Sequence, residues 1–187
     1  MFSGKTSSLI HYAERYQRAK LRVIVIFPEL DTRFTRQDKI ITHNGISYDA
    51  IRCKSLKDIE AQTVDYQVIL IDEAQFVEDI YLADAWAKSK IVIAAGLISD
   101  WQRRPFGNLI AILSLADHIV TLSAVCANCG KDASFSAKKI PDHSSSGAPD
   151  IGGEDKYVSL CRECHYTQSG AQSKSAVVPV SVNYTYN

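Results

Sequence analysis

Along the first 125 residues, apolar runs alternate with mixed stretches. Thr6 to Lys20 carries Leu9, Ile10, Ala13, Tyr16 and Gln17 at approximate i, i+3, i+4, i+7 positions, with Glu14, Arg15 and Arg18 interspersed, which predicts an amphipathic helix. Leu21 to Phe27 (LRVIVIF) is a continuous β-branched run ended by Pro28, the profile of a strand buried on both faces. The same profile recurs at Val68 to Asp72 (VILID), at Lys90 to Gly96 (KIVIAAG) and, more weakly, at His118 to Val125. Ile46 to Cys53 reads as a further strand after Asn44-Gly45. Helical stretches fall near Ser55 to Thr63, with Ser55 as N-cap, at Asp79 to Lys88 and at Asn108 to Ala116. Buried strands alternating with helices predict an α/β fold with a parallel sheet and helices on both faces.

Beyond Val125 the pattern stops. Two cysteine pairs, Gly147, Pro149 and Gly152-Gly153 replace the apolar runs, and Ser144 to Gly147 reads as a loop. The expected organisation is a domain over 1–125, an appendage over 126–166 and a tail over 167–187. In the tail, VVPVSV fits an edge strand or a disordered segment equally.

Composition narrows the class. The 187 residues carry 21 Lys+Arg against 21 Asp+Glu, so no overall field draws the protein to nucleic acid or to an anionic membrane. No apolar run approaches the ~20 residues of a spanning helix, and the N-terminus lacks the order of a secretory signal. The expectation is a soluble cytoplasmic protein.

Three clusters carry chemistry. Gly4-Lys5-Thr6 opens the first predicted helix and matches the end of G-x-x-x-x-G-K-[ST]. In that loop, backbone N–H groups and the helix N-terminus close on phosphate, the lysine reaches the outer phosphates and the hydroxyl ligates Mg²⁺. Asp72 and Glu73 stand at the carboxyl end of an apolar strand, where ligands of open α/β sheets bind. Asp72 suits Mg²⁺ and Glu73 suits a general base toward an acceptor hydroxyl. Cys126, Cys129, Cys161 and Cys164 form C-x2-C-x31-C-x2-C, four soft ligands that fill a tetrahedral Zn²⁺ shell and leave no open position, hence a structural metal. His165 adjoins Cys164 and offers a substitute ligand. A P-loop ATPase with a zinc-ribbon nucleic-acid or protein interaction module fits these three clusters too.

Specific motifs carry the reading further. MFSGKT, LDTRF, IDEAQF, AAGLISDWQRRPFG, AVCANCG and IGGEDKYVSLCREC occur in the order seen in the cellular-type, zinc-containing thymidine kinases, and the chain resembles that family from residue 1 to about 166. The resemblance implies a P-loop core and a zinc-held lasso closing over the nucleoside. It also implies transfer of the γ-phosphate of ATP to the 5′-hydroxyl of thymidine in nucleoside salvage for DNA synthesis, a homotetramer, and dTTP as feedback inhibitor. By the same resemblance, Met1, Phe2, Ser3, Gly4, Lys5 and Thr6 form the phosphate loop. Asp31, Arg33, Asp72 and Gln75 lie near the phosphates, Thr6 and Asp72 face Mg²⁺, and Glu73 is the base. Met1, Phe76, Leu97, Trp101 (where the family places a Phe), Phe106, Ser136, Tyr157 and the segment Ala148, Pro149, Asp150, Ile151, Gly152 line the nucleoside pocket.

The chain departs from the family at Phe27 (usually a lysine), at Ile98 (an acid) and at Lys138 (an arginine). The family also has Gly-Pro and a strand before M-F-S-G-K. The expectation is therefore a reading frame that starts upstream, with Met1 internal to the loop and the chain as written poorly stable and weakly active.

Overall fold

The computed structural model describes residues 2–29, 39–41, 47–139 and 152–168. Five strands form the main sheet: β1 (Val23–Pro28), β2 (Lys39–Ile41), β3 (Ser47–Cys53), β4 (Val68–Ile71) and β5 (Ile91–Ala94), in the order β2-β3-β1-β4-β5. β3, β1, β4 and β5 run parallel, while β2 adds antiparallel to β3. Helix α1 (Lys5–Arg18) precedes β1, α2 (Leu56–Ile59) continues into a 3-10 turn over Glu60–Thr63, and α3 (Leu82–Ala87) leads to β5.

The apolar runs at β1 and β4 become strands with two dry faces because successive side chains alternate. β5, expected to be buried likewise, is only partly covered because among the described residues it pairs with β4 alone. Val23, Val25, Phe27, Val68 and Leu70 pack with Leu9, Ile10 and Ala13 of α1. Ile24, Ile26, Ile69 and Ile71 pack on the other side with Leu56, Ile59, Ile80, Trp86 and Leu109. Each fully buried aliphatic side chain contributes about 1.5–3 kcal/mol, so the two layers hold the carboxyl ends of β1 and β4 rigidly in place. Phe27, at the family's lysine position, is one of these core residues, with the Arg52 guanidinium over its ring at 5.2 Å.

Ser55 caps α2 as expected, its Oγ accepting from Lys57 N–H at 3.2 Å. A second capping group comes from far along the chain. The Asp79 carboxylate accepts from the Ser55 hydroxyl and from the backbone N–H groups of Leu56 and Lys57. Burial opposes its charge, but these bonds outweigh burial and hold its carboxyl below the ordinary range.

The predicted strand over His118–Val125 is corrected. Only Ala124–Val125 is extended in a ladder, as β6, and it pairs with β7 (Asp132–Ala133) outside the main sheet. Residues 118–123 join no ladder among the described residues, and an apolar run without a ladder partner stays irregular. The predicted helix over Asn108–Ala116 is a 3-10 stretch, Leu109–Leu115. A second small ladder joins β8 (Phe135–Lys138) to β9 (Tyr157–Leu160), and α4 (Arg162–Gln168) follows directly.

Candidate functional site

Helix α1 begins at a left-handed residue. Gly4 has φ of 76°, and nothing lies within 4 Å of where its Cβ would be, so backbone conformation rather than crowding favours glycine there. Lys5 and Thr6 form the first turn, whose N–H groups have no partner within the helix. The Thr6 hydroxyl donates to Asp72 Oδ2 at 2.7 Å and so ties this turn to the end of β4.

Asp72 is fully buried, and its other oxygen accepts from the Glu73 N–H at 2.9 Å. Burial raises its carboxyl above the ordinary range. The Thr6 bond opposes that rise, the neighbouring Glu73 charge adds to it, and the Lys5 ammonium pulls the other way. Lys5, Thr6, Asp72 and Glu73 thus stand at one end of the sheet.

Glu73 adopts φ of 46°, a conformation strained for a side-chain-bearing residue, which turns the chain out of β4 into the 3-10 turn Ala74–Phe76. The Gln75 amide nitrogen donates to Glu73 Oε2 at 2.6 Å, while its oxygen accepts from Leu97 N–H at 2.9 Å. Gln75, expected near the phosphates, therefore commits its amide to bridging the glutamate and the loop after β5.

Two glycines make room for that bridge. A Cβ on Gly96 would lie 2.5 Å from Gln75 Oε1, and one on Gly107, at φ of 61°, would overlap the Gln75 carbonyl oxygen. Gly96 closes the KIVIAAG strand and Gly107 is the glycine of P-F-G, but their role in seating Gln75 is not visible in the sequence. Phe76 and Phe106 meet edge to face at 5.3 Å beside this bridge.

Trp101 sits on a tight loop. Asp100 shapes the loop by accepting from the N–H groups of Gln102 and Arg104 and by pairing with the Arg104 guanidinium at 2.8 Å. The Lys138 ammonium, at the family's arginine position, lies 5.1 Å from the Trp101 ring. Ser136 and Tyr157 are buried on the paired strands β8 and β9, and Tyr157 stands opposite Lys138. Ile98, at the family's acidic position, is exposed. Gly152 lies before β9, and its absent Cβ leaves space for the Lys156 side chain. Met1, Asp31, Arg33, Ala148, Pro149, Asp150 and Ile151 lie outside the described residues.

The cysteines converge as their spacing predicts. The Sγ atoms of Cys126, Cys129, Cys161 and Cys164 all lie within 4.8 Å of one another, and Cys129 and Cys161 are 3.6 Å apart. A tetrahedron of ~2.3 Å Zn–S bonds has edges of about 3.8 Å, so the set is able to hold a metal such as zinc. A tight turn, with Gly130 N–H donating to Cys126 O, presents the first pair, and the start of α4 presents the second. The backbone N–H of Cys161 leads in drawing the Cys126 thiol down to about 6. His165 is not part of this cluster. Its Nε2 lies 3.1 Å from the Trp101 carbonyl oxygen instead.

A parallel α/β sheet with a lysine and hydroxyl at a helix start, facing paired acids at a strand end, defines a phosphotransferase of the P-loop type. The family model for thymidine kinase matches residues 1–165, and the chain belongs to that family. Thymidine kinase 1 of Dictyostelium discoideum is 37% identical over 203 residues, spanning 98% of this chain and 88% of the relative. The thymidine kinases of Myxoma virus (strain Uriarra) and Yaba monkey tumor virus are 38% and 39% identical, spanning 89% of this chain and 92% and 90% of theirs. Among the described residues no helix is long and apolar enough to cross a membrane.

Proposed function

We propose that the protein phosphorylates the 5′-hydroxyl of thymidine, and of deoxyuridine, with ATP as donor. The observation that carries this reading is the continuous chain of contacts Thr6–Asp72–Glu73–Gln75, which gathers a phosphate-loop turn and a braced carboxylate at the carboxyl end of β4. Lys5 and the N–H groups of Phe2, Ser3 and Gly4 hold the phosphates. Thr6 and Asp72 hold Mg²⁺, which when bound neutralises charge on the transferring phosphoryl group. Glu73, held by Gln75, accepts the proton of the sugar hydroxyl. By family resemblance Asp31 and Arg33 join the phosphate side and Met1 the base pocket.

Residues 1–125 act as the ATP-binding domain and 126–166 as the lobe that closes on the nucleoside, with structural zinc on the four cysteines. By family resemblance Phe76, Leu97, Trp101, Phe106, Ser136, Tyr157 and the segment 148–152 line the nucleoside pocket. A Trp in place of the family's Phe still stacks, because every base presents a π-face. A pocket that fits the thymine methyl separates thymidine from deoxyuridine by only about 1–3 kcal/mol. Backbone hydrogen bonds to the base edge reject cytosine more strongly, because a mismatch leaves buried polar groups unpaired. A homotetramer and inhibition by dTTP complete the reading.

The test is transfer of label from γ-labelled ATP across the four deoxynucleosides. Monophosphate is expected from thymidine and deoxyuridine and none from deoxycytidine. Release of ADP that does not depend on any nucleoside would replace the kinase with an ATPase.

A further inference from the structure

The seam between the Trp101 loop and the cysteine lobe holds more contacts than a passive boundary needs. His165, on α4 between the second cysteine pair and the lobe's outer end, is 93% buried by its 7% exposure, and it stacks at a tilt on Phe135 with ring centroids 5.7 Å apart. Its Nε2 lies 3.1 Å from Trp101 O. A carbonyl only accepts, so Nε2 carries the proton. Nδ1 has no hydrogen-bond partner among the described residues, so that one contact is where the ring's polarity is used. A buried ring keeps such an arrangement only where the bond matters to the local structure. Beside it, the Arg103 guanidinium lies 4.4 Å from the Tyr166 ring, again joining the loop to α4.

We infer that His165 is a positioning residue for nucleoside binding: it fixes the Trp101 loop to the helix whose first turn is held by Cys161 and Cys164. The inference rests on the reading that Trp101 faces the nucleoside base. The loop is already shaped internally by Asp100, whose carboxylate satisfies two of its N–H groups. What it lacks internally is a restraint on where it sits. His165 supplies a hydrogen bond from α4 to the Trp101 backbone itself, beside the Arg103–Tyr166 contact, and so ties the placement of Trp101 to the helix that carries Cys164. The Lys138 ammonium, carried by β8 of the same lobe, lies 5.1 Å from the Trp101 ring.

His165→Phe keeps the ring against Phe135 and removes the donor, while His165→Gln keeps an Nε2–H at a similar reach. In the metal-loaded protein, His165→Phe is expected to raise the KM for thymidine about five- to tenfold, the worth of one buried hydrogen bond. The kcat should stay within about twofold and the KM for ATP unchanged, as for lost uniform binding. His165→Gln should restore most of the loss. Metal content, measured by elemental analysis, should stay at the wild-type value in both. A second readout needs no turnover: in a Trp86→Phe background Trp101 is the sole tryptophan, and its emission should move to the red in His165→Phe and back in His165→Gln. Unchanged KM and emission with metal retained would overturn the inference, as would loss of metal in His165→Phe or equal loss in both variants. Should the wild type fail to phosphorylate thymidine, the proposed function falls, and the emission comparison still decides whether His165 fixes the loop.

Discussion

Asp72→Asn should stabilise the protein while disabling it. The carboxylate is fully buried, and burial is the leading cause of its raised pKa. Both of its hydrogen bonds survive the change: the amide oxygen still accepts from Glu73 N–H, and the Thr6 hydroxyl rotates to accept from the new NH₂. What disappears is the cost of holding a charge out of water, less the attraction of Lys5. Replacing buried charge with a neutral isostere commonly gains about 1–2 kcal/mol. For a chain of 187 residues that is a rise in Tm of about 2–8 °C.

The pH dependence gives the sharper test. Because the folded pKa lies above the unfolded one, the native state holds the proton more tightly, and wild-type stability falls as pH climbs from the ordinary Asp value of about 3.9 through the folded pKa. Below that window wild type and variant should melt alike; above it the variant should lead by its full margin. The assay is thermal unfolding by circular dichroism at several pH values without nucleotide, paired with a phosphoryl-transfer assay in which the variant should lose at least about a hundredfold in kcat. A variant that melts below wild type at pH 8, or a lead that shrinks as pH rises, would refute the reasoning.

Three further outcomes follow from the same geometry. Gly107→Ala puts a methyl into the Gln75 carbonyl at a positive φ and should lower stability by at least about 2 kcal/mol, read as a marked fall in Tm, while also cutting kcat through displacement of the Gln75–Glu73 bridge; Gly130→Ala, at a φ of 72° with open space around it, should cost only the backbone strain. Metal removal by a strong chelator should release four thiols to a colorimetric reagent and strip structure from β8, β9 and α4 in hydrogen exchange, leaving the main sheet protected, because the lobe's own apolar core is small. Burial pushes the Cys53 thiol up to about 12, so maleimide at pH 8 should leave it unlabelled in native protein and modify it fully in denaturant, as mass spectrometry would show.

Continuous β-branched apolar runs of strand length made β1, β4 and β5 legible in the sequence, and β1 and β4 are buried throughout, whereas β5, expected to be buried, is only partly covered. The acids at the end of VILID and the paired cysteines were legible because their chemistry is set by residue type and spacing. His118–Val125 misled: its composition suits a strand, but a strand exists only beside a partner, and partners are a tertiary fact. Helix α4 was missed because RECHYTQ has no apolar stripe, and its first turn is set by the cysteine cluster instead. The role of Gln75 was hidden for a related reason, since it depends on two glycines and on the Leu97 N–H, all more than twenty residues away. His165 looked like a spare ligand from its neighbour Cys164. Only the fold shows it turned toward Trp101.

Among the described residues β5 pairs with β4 alone, and Ile91 at its start is exposed. Such a flank invites another copy to zip onto it. At the bench this sets how a purified sample ages. Concentrated stocks should cloud first, sulfate-rich buffers should hasten the haze by strengthening apolar burial, and the shelf life of the preparation should be governed by this margin rather than by the chemistry at the carboxyl ends of the strands.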